Sequence, residues 1–432
     1  MQRTLIGELA GKVGETVTIA GWVSVRRDQG KMVFFDFRDR SGTVQAICLP
    51  NRAEALAEAK DIRNEYVVRV EGVVNKRPEK NVQQGKQNGD IELEITGLEV
   101  LAEADIPFEL GSEVNIDTYL DHQPYTLRSE KVKQIFKVQE TIIQAFRDGM
   151  RAQEFVEFQA PALVGGDAEG GAAAFEVNYY YDQTAYLATS PQFYKQIMVG
   201  AFERAFATPK VFRGEKHSTT RHLSEYTSLD FEMGFITDHT EVMATLEKTL
   251  RLIVERTGQE VALPTQIPVL KLREAQKILA VPEEPDLEPE HERALSTWAL
   301  AEKGSDFLFV THYPLSKRPF YTYEDETDPG YTKSFDLLFR GLEITTGGQR
   351  VHDHDLLVER IRSKGLDPEK FRFYLEAFKV GMPPHGGSAT GLERLTARLL
   401  NLPNVKEATL FPRDLNRIDT LLSEHGNDTP ED

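Results

Sequence analysis

A chain of 432 residues has room for two or three domains, and its 40% hydrophobic and 28% charged side chains exclude a mainly disordered polymer. The absence of any run of about 18 apolar residues excludes a membrane span. The single cysteine, Cys48, excludes an internal disulfide and cannot by itself build a thiolate zinc site. The opening MQRTLIGELAGK lacks the apolar core of a secretion signal, so a reducing, cytoplasmic home with no membrane partner is expected. The formal charge of −18 argues against a chain coated in nucleic acid, yet residues 1–102 hold 15 Lys+Arg against 15 Asp+Glu. A neutral module joined to an acidic body can still bind an anion locally.

Residues 1–102 read as short strands. TVTIAGWVSV, MVFFDFRDR, TVQAICL, YVVRVEGVV and DIELEITGLEVL alternate or run apolar with β-branched and aromatic residues. Turn signals at Arg40-Ser41-Gly42 and Asn88-Gly89-Asp90 separate several of them, and a helical patch at Ala53 to Ala59 follows the third. This pattern matches a Greek-key barrel of the oligonucleotide-binding type (the OB-fold), and other small barrels as well. Residues 103–127, with Pro107, Gly111 and Pro124 and no periodicity, read as a hinge. Beyond it, in residues 128–432, the spacing of Val132, Ile135, Phe136, Ile142, Ile143 and Phe146 predicts a helix. Strands and helices then mix, with a further amphipathic helix marked by Val242, Leu246, Leu250 and Ile253. Glu283 to Glu292 reads as a solvated acidic loop leading into a helix. The expected class is α+β.

Four segments concentrate polar chemistry. In Thr189-Ser190-Pro191-Gln192-Phe193-Tyr194-Lys195-Gln196, Ser190 and Pro191 suit a helix start. VFRGE and YTSLDFEMGF read as a hairpin around a loop rich in donors, with Arg213, Glu215, Arg221, His222, Tyr226, Asp230 and Glu232; an arginine fork suits phosphate. A solvated hairpin with surface ion pairs would look the same. In LEITTGGQRVHDHD, Glu343 and Thr346 could offer hard oxygens to magnesium. A zinc reading of His352, Asp353, His354 and Asp355 is set aside, because a polar helix start explains that run. Gly386-Gly387-Ser388-Ala389-Thr390-Gly391-Leu392-Glu393-Arg394 reads as a glycine-rich turn opening a helix, suited to a phosphate-bearing ligand, though it fits neither the Walker pattern nor G-x-G-x-x-G.

In this order, behind a five-strand barrel, the segments resemble the class II aminoacyl-tRNA synthetases of the aspartate/asparagine/lysine subgroup, most closely the archaeal-type aspartyl branch. The helix from Lys131 with EFVEFQAPALVGG resembles the first class signature, VFRGE…RHLSEYTSLDFE the second, and GLERLTARLLNLPNVKEATLFPRD the third. The resemblance implies an OB-fold that binds the anticodon and a catalytic domain on an antiparallel sheet flanked by helices. It further implies ATP and L-aspartate as substrates, magnesium, tRNA(Asp), and a homodimer built through the first signature.

Residue by residue, the resemblance assigns Arg213, Glu343 and Arg394 as the catalytic set. ATP falls to Arg213, Glu215, Arg221, His222, Leu223, Tyr226, Glu343, Gly391, Leu392, Glu393 and Arg394. Aspartate falls to Glu169, Gln192, Lys195, Arg213, Asp230, Thr346 and Arg350, with Lys195 and Arg350 reading the side-chain carboxylate. Glu343 and Thr346 match the magnesium pair. In the barrel, Phe34, Gln45 and Glu92 fall where relatives contact anticodon bases, and the alternation with Phe35 and Phe37 leaves the face of Phe34 open. Ser24 replaces a large ring, which implies charging of tRNA(Asn) as well, for later amidation by a partner amidotransferase. The rivals are an asparaginyl enzyme, against which Lys195 argues, a non-catalytic paralogue binding nucleic acid, and a free-asparagine ligase, which would not need the barrel.

Overall fold

The alternation of the first hundred residues closes into a barrel. Residues 2–166, 174–216 and 219–418 are described by a computed structural model. In the first unit, Met1–Ser112, strands β1 (Thr16–Asp28), β2 (Val33–Asp39), β3 (Gly42–Cys48), β4 (Val67–Lys76) and β5 (Ile91–Ala102) form a closed barrel in the order β1-β2-β3-β5-β4, with helix α1 (Ala53–Asp61) between β3 and β4. Side chains alternate across a strand, so Val33, Phe35 and Phe37 fill the interior while Phe34 and Asp36 stand on the outer face. That decides the face of Phe34. A first 3₁₀ turn sends Ile6 and Leu9 into the same core.

Outside the barrel wall a buried ion pair fixes the end of β2. Arg38 donates to both Glu65 oxygens at 2.7 Å, to Ser24 Oγ at 3.1 Å, and lies 5.9 Å from the Trp22 ring.

The second unit, Glu113–Asp432, begins inside the stretch expected as a hinge. That stretch contains two short helices, α2 (Ile116–Asp121) and α3 (Gln123–Thr126). Asn115 caps α2 by accepting from Thr118 N at 2.8 Å, and buried Gln123 donates to Thr409 O at 3.0 Å and accepts from Phe411 N. Helix α4 (Glu130–Ala152) follows; of the stripe expected of it Val132, Ile135, Ile142 and Phe146 are buried, and Phe136 and Ile143 half-buried. The strands are β6 (Val156–Glu157), β7 (Leu163–Val164), β8 (Glu176–Asn178), β9 (Thr184–Leu187), β10 (Arg204–Ala207), β11 (Lys210–Phe212), β12 (Glu225–Gly234), β13 (Val269–Lys271), β14 (Phe307–Thr311), β15 (Ser334–Phe339), β16 (Leu342–Arg350) and β17 (His385–Gly391). The helices are α5 (Gln192–Phe202), α6 (His239–Thr257), α7 (Leu272–Leu279), α8 (Pro289–Lys303), α9 (His354–Ser363), α10 (Arg372–Lys379) and α11 (Leu392–Leu399).

The main sheet runs β13-β14-β15-β16-β17-β12-β10-β6, with β11 paired to β12. It is antiparallel through its centre and parallel only at its two edge pairs, β13 with β14 and β10 with β6, so it is mixed rather than purely antiparallel. Strands β7, β9 and β8 form a separate small sheet. Helix α6 starts on a capping box of Asp238 and Glu241, ends at Gly258 in the left-handed region, and buries Val242, Leu246, Leu250 and Ile253 as its periodicity predicts.

Two local readings change. The glycine-rich segment expected as a turn is the central strand β17, and α11 starts directly from it. Its glycines serve packing: a Cβ on Gly387 would sit 2.1 Å from both Phe231 O and Glu232 Oε2, and one on Gly386 would sit 2.7 Å from Gly348 O. Glu292, read as part of a solvated run, is 6% exposed.

Glu65→Ala would leave the Arg38 guanidinium buried without its counter-charge, a loss of about 3–5 kcal/mol. Denaturant unfolding of the full chain followed by Trp22 fluorescence is expected to show that loss in the transition of the first unit.

Candidate functional site

Over the centre of the main sheet lies a cleft of about 420 Å³. Strands β12, β16 and β17 supply its floor, because their registers place Asp230 opposite Ala389 and Arg350 opposite His385. The first turn of α5 supplies one wall; Ser190 Oγ accepts from Gln192 N at 3.2 Å there, as expected of a helix start. The cleft is lined by fourteen of the residues expected to bind ATP, aspartate or metal, Lys195, Arg213, Glu343, Arg350 and Arg394 among them.

At the floor four charges form one network. Lys195 is fully buried; its Nζ lies 3.0 Å from Asp230 Oδ2 and 3.4 Å from Glu232 Oε2, and donates to Ser388 O at 3.1 Å. The contact to Ser388 is a hydrogen bond and the two carboxylates are ion-pair partners; Asp230 Oδ2 has no hydrogen-bond partner among the described residues. Arg350 donates from Nε to Glu232 Oε1 at 2.8 Å and from Nη2 to Gly387 O at 2.9 Å, and its Nη1 has no partner among the described residues. Burial pushes the Glu232 carboxyl up, but Arg350 and Lys195 outweigh it and hold the group below its ordinary value. Two cations and two carboxylates therefore balance. The two cations expected to read the substrate carboxylate thus sit in a preassembled, internally compensated set.

Behind this network lies a buried polar chain. Gln192 Nε2 and Tyr374 Oη each donate to Gln196 Oε1 at 3.0 Å, which leaves the Gln196 amide N–H for His385 Nε2 at 2.8 Å. The His385 ring is then neutral with its proton on Nδ1, donated to Pro383 O at 2.9 Å. Burial pushes His385 down to about 4.

At the opposite end, β11 and β12 form the expected hairpin, pairing Val211 with Tyr226. Arg213 lies 5.8 Å from the Tyr226 ring. Arg394, from the first turn of α11, donates to Glu343 O at 3.0 Å and to Arg221 O at 3.3 Å. Glu393 accepts from Thr227 N at 3.0 Å with both oxygens, and burial pushes it up to about 7. Leu392 packs its side chain into the core, so only its backbone could meet a ligand.

The Glu343 carboxylate is 32% exposed and accepts from Thr346 Oγ1 at 2.6 Å. Sequence reasoning missed Asp336, which pairs across β15 and β16 with Thr346. Burial, and then the Glu343 charge, raise it to about 6 against the pull of Arg318, which donates to it at 2.8 Å. Asp336 Oδ1 is buried with no hydrogen-bond partner among the described residues. Two carboxylates and a hydroxyl, one oxygen unsatisfied, fit a hard divalent cation that keeps most of its waters. Arg318 was missed too; a lone arginine outside any motif gives no local signal. Asp353 caps α9 by accepting from Leu356 N at 2.8 Å, the polar helix start expected of that run. Glu169 lies outside the described residues.

On the barrel, Phe34, Gln45 and Glu92 stand half-buried on the outer face of the consecutive strands β2, β3 and β5. Ser24 sits at the β1 bulge, its hydroxyl accepting from Arg38.

The depressed His385 value sets a stability prediction. The native ring binds fewer protons than the unfolded one, so stability is full above about pH 6.5 and falls as the pH drops towards 4, by about 3 kcal/mol. Unfolding free energies measured across that window are expected to show a slope in the parent chain that His385→Gln lacks.

Comparison with known proteins identifies the family of both units. Residues 115–415 match the family described as tRNA synthetases class II (D, K and N), and residues 17–101 match the OB-fold nucleic acid binding domain. The aspartate–tRNA(Asp/Asn) ligase of Thermus thermophilus is 45% identical, over 96% of this chain and 99% of its own length. The aspartate–tRNA(Asp) ligase of Pyrococcus abyssi is 37% identical, over 94% and 96%. Among solved structures, the asparaginyl-tRNA synthetase of Pyrococcus horikoshii with asparaginyl-adenylate superposes with a TM-score of 0.88 at 31% identity, covering 97% of this chain and 99% of the other. With one profile across the second unit, another across the barrel, and relatives matched nearly end to end, the chain belongs to the class II tRNA synthetases of the D, K and N group.

Proposed function

We propose that the chain is an aspartate–tRNA ligase, which activates L-aspartate with ATP and transfers it to the 3′ end of tRNA(Asp) and of tRNA(Asn). The observation that carries the amino-acid choice is the buried Lys195–Asp230–Glu232–Arg350 network at the cleft floor. A substrate carboxylate meets N–H donors there. An asparagine amide would point its own N–H groups at those donors, a mismatch that polar sites reject strongly.

Both reactants are anions, so the site must neutralise and align them. In the first step an α-carboxylate oxygen of aspartate bonds to the α-phosphorus of ATP and the bond to the bridging oxygen breaks, releasing pyrophosphate. Arg213 is assigned to the α-phosphate and the reacting carboxylate, Glu215 to the adenine amino group, and Tyr226 and Arg394 to the two adenine faces. Arg221, His222 and Arg394 are assigned to the β- and γ-phosphates, and Gly391 to close backbone approach. Gln192, Asp230 and Thr346 complete the aspartate side with Lys195 and Arg350. Glu343, Thr346 and Asp336 would hold magnesium, which when bound withdraws charge from the phosphate oxygens. In the second step a terminal ribose hydroxyl of tRNA attacks the acyl carbon and AMP leaves.

On the barrel, Phe34 is assigned to base stacking, with Gln45 and Glu92 to base selection. The small Ser24 beside Arg38 supports acceptance of both tRNAs, as does the name of the Thermus relative. Aspartyl-tRNA(Asn) would then pass to an amidotransferase. Assembly as a homodimer through α4 and β6 and a cytoplasmic home belong to the same reading; no described helix is long and apolar enough to cross a membrane.

Amino-acid-dependent ATP–pyrophosphate exchange tests the reading. Aspartate alone is expected to drive exchange, with asparagine and lysine inactive, and Lys195→Met is expected to lower kcat/KM for aspartate by about 100-fold or more. Exchange driven by asparagine would overturn the substrate assignment. Phe34→Ala is expected to raise the KM for both tRNAs roughly tenfold, as loss of one stacked base does, with exchange unchanged. Absence of aspartylation of tRNA(Asn) in a competition assay would restrict the enzyme to tRNA(Asp).

A further inference from the structure

We propose that Glu292 is the positioning residue for the polyphosphate end of the cleft, holding Arg221 and the start of the strand that carries Glu343. This rests on the reading of the cleft as an ATP site. Glu292 lies on α8, outside the three class signatures, and differs from its neighbour Glu290: the Glu290 side chain is 75% exposed and that of Glu292 7%. A buried carboxylate is retained only against compensation. Here the compensation is specific. Arg221 Nη2 donates to Oε1 at 2.8 Å and to Oε2 at 2.7 Å, and Oε2 also accepts from Glu343 N at 3.0 Å. One turn further along α8, Ser296 Oγ accepts from Gly341 N at 2.8 Å. Successive turns of α8 therefore hold two backbone N–H groups where β16 begins.

The mode of contact favours support over sequestration. Glu292 engages a single guanidinium nitrogen, and Arg221 Nε and Nη1 have no partner among the described residues. The arginine is anchored while donors remain for an anion. The carboxylate also screens crowded cations. Arg394 donates to Arg221 O, and Arg398 on the same helix has a buried Nε without a partner among the described residues. Burial, and then the Arg221 charge, lower the Arg398 guanidinium from its ordinary value. Without Glu292, Arg221 would be repelled from this corner.

The test is calorimetric titration of magnesium–ATP into the full chain and its variants Glu292→Gln, Glu292→Ala, Arg221→Ala and Arg221→Ala/Glu292→Ala, with melting temperatures as the folding control. Glu292→Ala is expected to weaken ATP about tenfold, the scale of a hydrogen bond to a charged group. Glu292→Gln should weaken it less, because its amide oxygen still accepts. The double variant should bind no more than about twofold worse than Arg221→Ala. In exchange assays the KM for ATP should rise while the KM for aspartate stays unchanged. Losses that multiply in the double variant, unchanged ATP affinity, or tighter binding in Glu292→Ala would each overturn the proposal. If Glu292→Ala does not fold, Glu292→Gln alone and combined with Arg221→Ala carries the same comparison. A parent chain that binds no ATP overturns the reading of the cleft, and this proposal with it; one that binds ATP with unaltered Glu292 variants overturns this proposal alone.

Discussion

The catalytic unit depends on one carboxylate shared by two cations in a dry place. Glu232 is fully buried in the centre of the main sheet, and Lys195 from a helix and Arg350 from a strand both reach it. An isolated charge there would cost several kcal/mol, so the group survives only because its partners arrive with it. The fold provides for that meeting. Gly387 has no side chain to obstruct Glu232, its carbonyl accepts from Arg350, and the carbonyl of Ser388 accepts from Lys195. Recognition chemistry and sheet packing are here one arrangement.

The two ends of the cleft solve different electrostatic problems. The floor is balanced, two cations against two carboxylates, and offers directed donors without a large net field. The outer end collects Arg221, Arg394 and Arg398 against Glu292 and Glu343, a mixture suited to a ligand of several negative charges. Its acids are partly frustrated, with burial and Glu343 raising both Glu292 and Asp336. A cation bound among those oxygens would relieve them.

Much of this was legible in the sequence because strand and helix periods are local. The barrel strands, α1, α4, α6 and the donor-rich hairpin follow from alternation and spacing. The face of Phe34 did not, since three phenylalanines in four positions satisfy either phase until the barrel closes. The glycine run misled because glycine disfavours strands on its own; β17 exists for what its glycines leave room for. Asp336, Arg318 and Glu292 were missed for a common reason. Each is one ordinary residue outside a motif; Arg318 lines the cleft, Asp336 and Glu292 bond to the cleft residues Arg318 and Arg221, and only Asp336 has a near signal, as the cross-strand neighbour of Thr346.

The shared carboxylate also shapes how such an enzyme could change. Replacing Lys195 alone would strand Asp230 and Glu232 as unbalanced buried acids, and replacing Glu232 alone would strand two cations above a strand whose glycines admit no filler. A switch of amino acid at this floor must therefore pass through several coordinated substitutions. Single steps are penalised in folding before they are tested in catalysis. Lineages separated by such a barrier would keep their amino-acid choice over long divergence, while the exposed face of the barrel, free of that coupling, could drift between tRNAs one residue at a time.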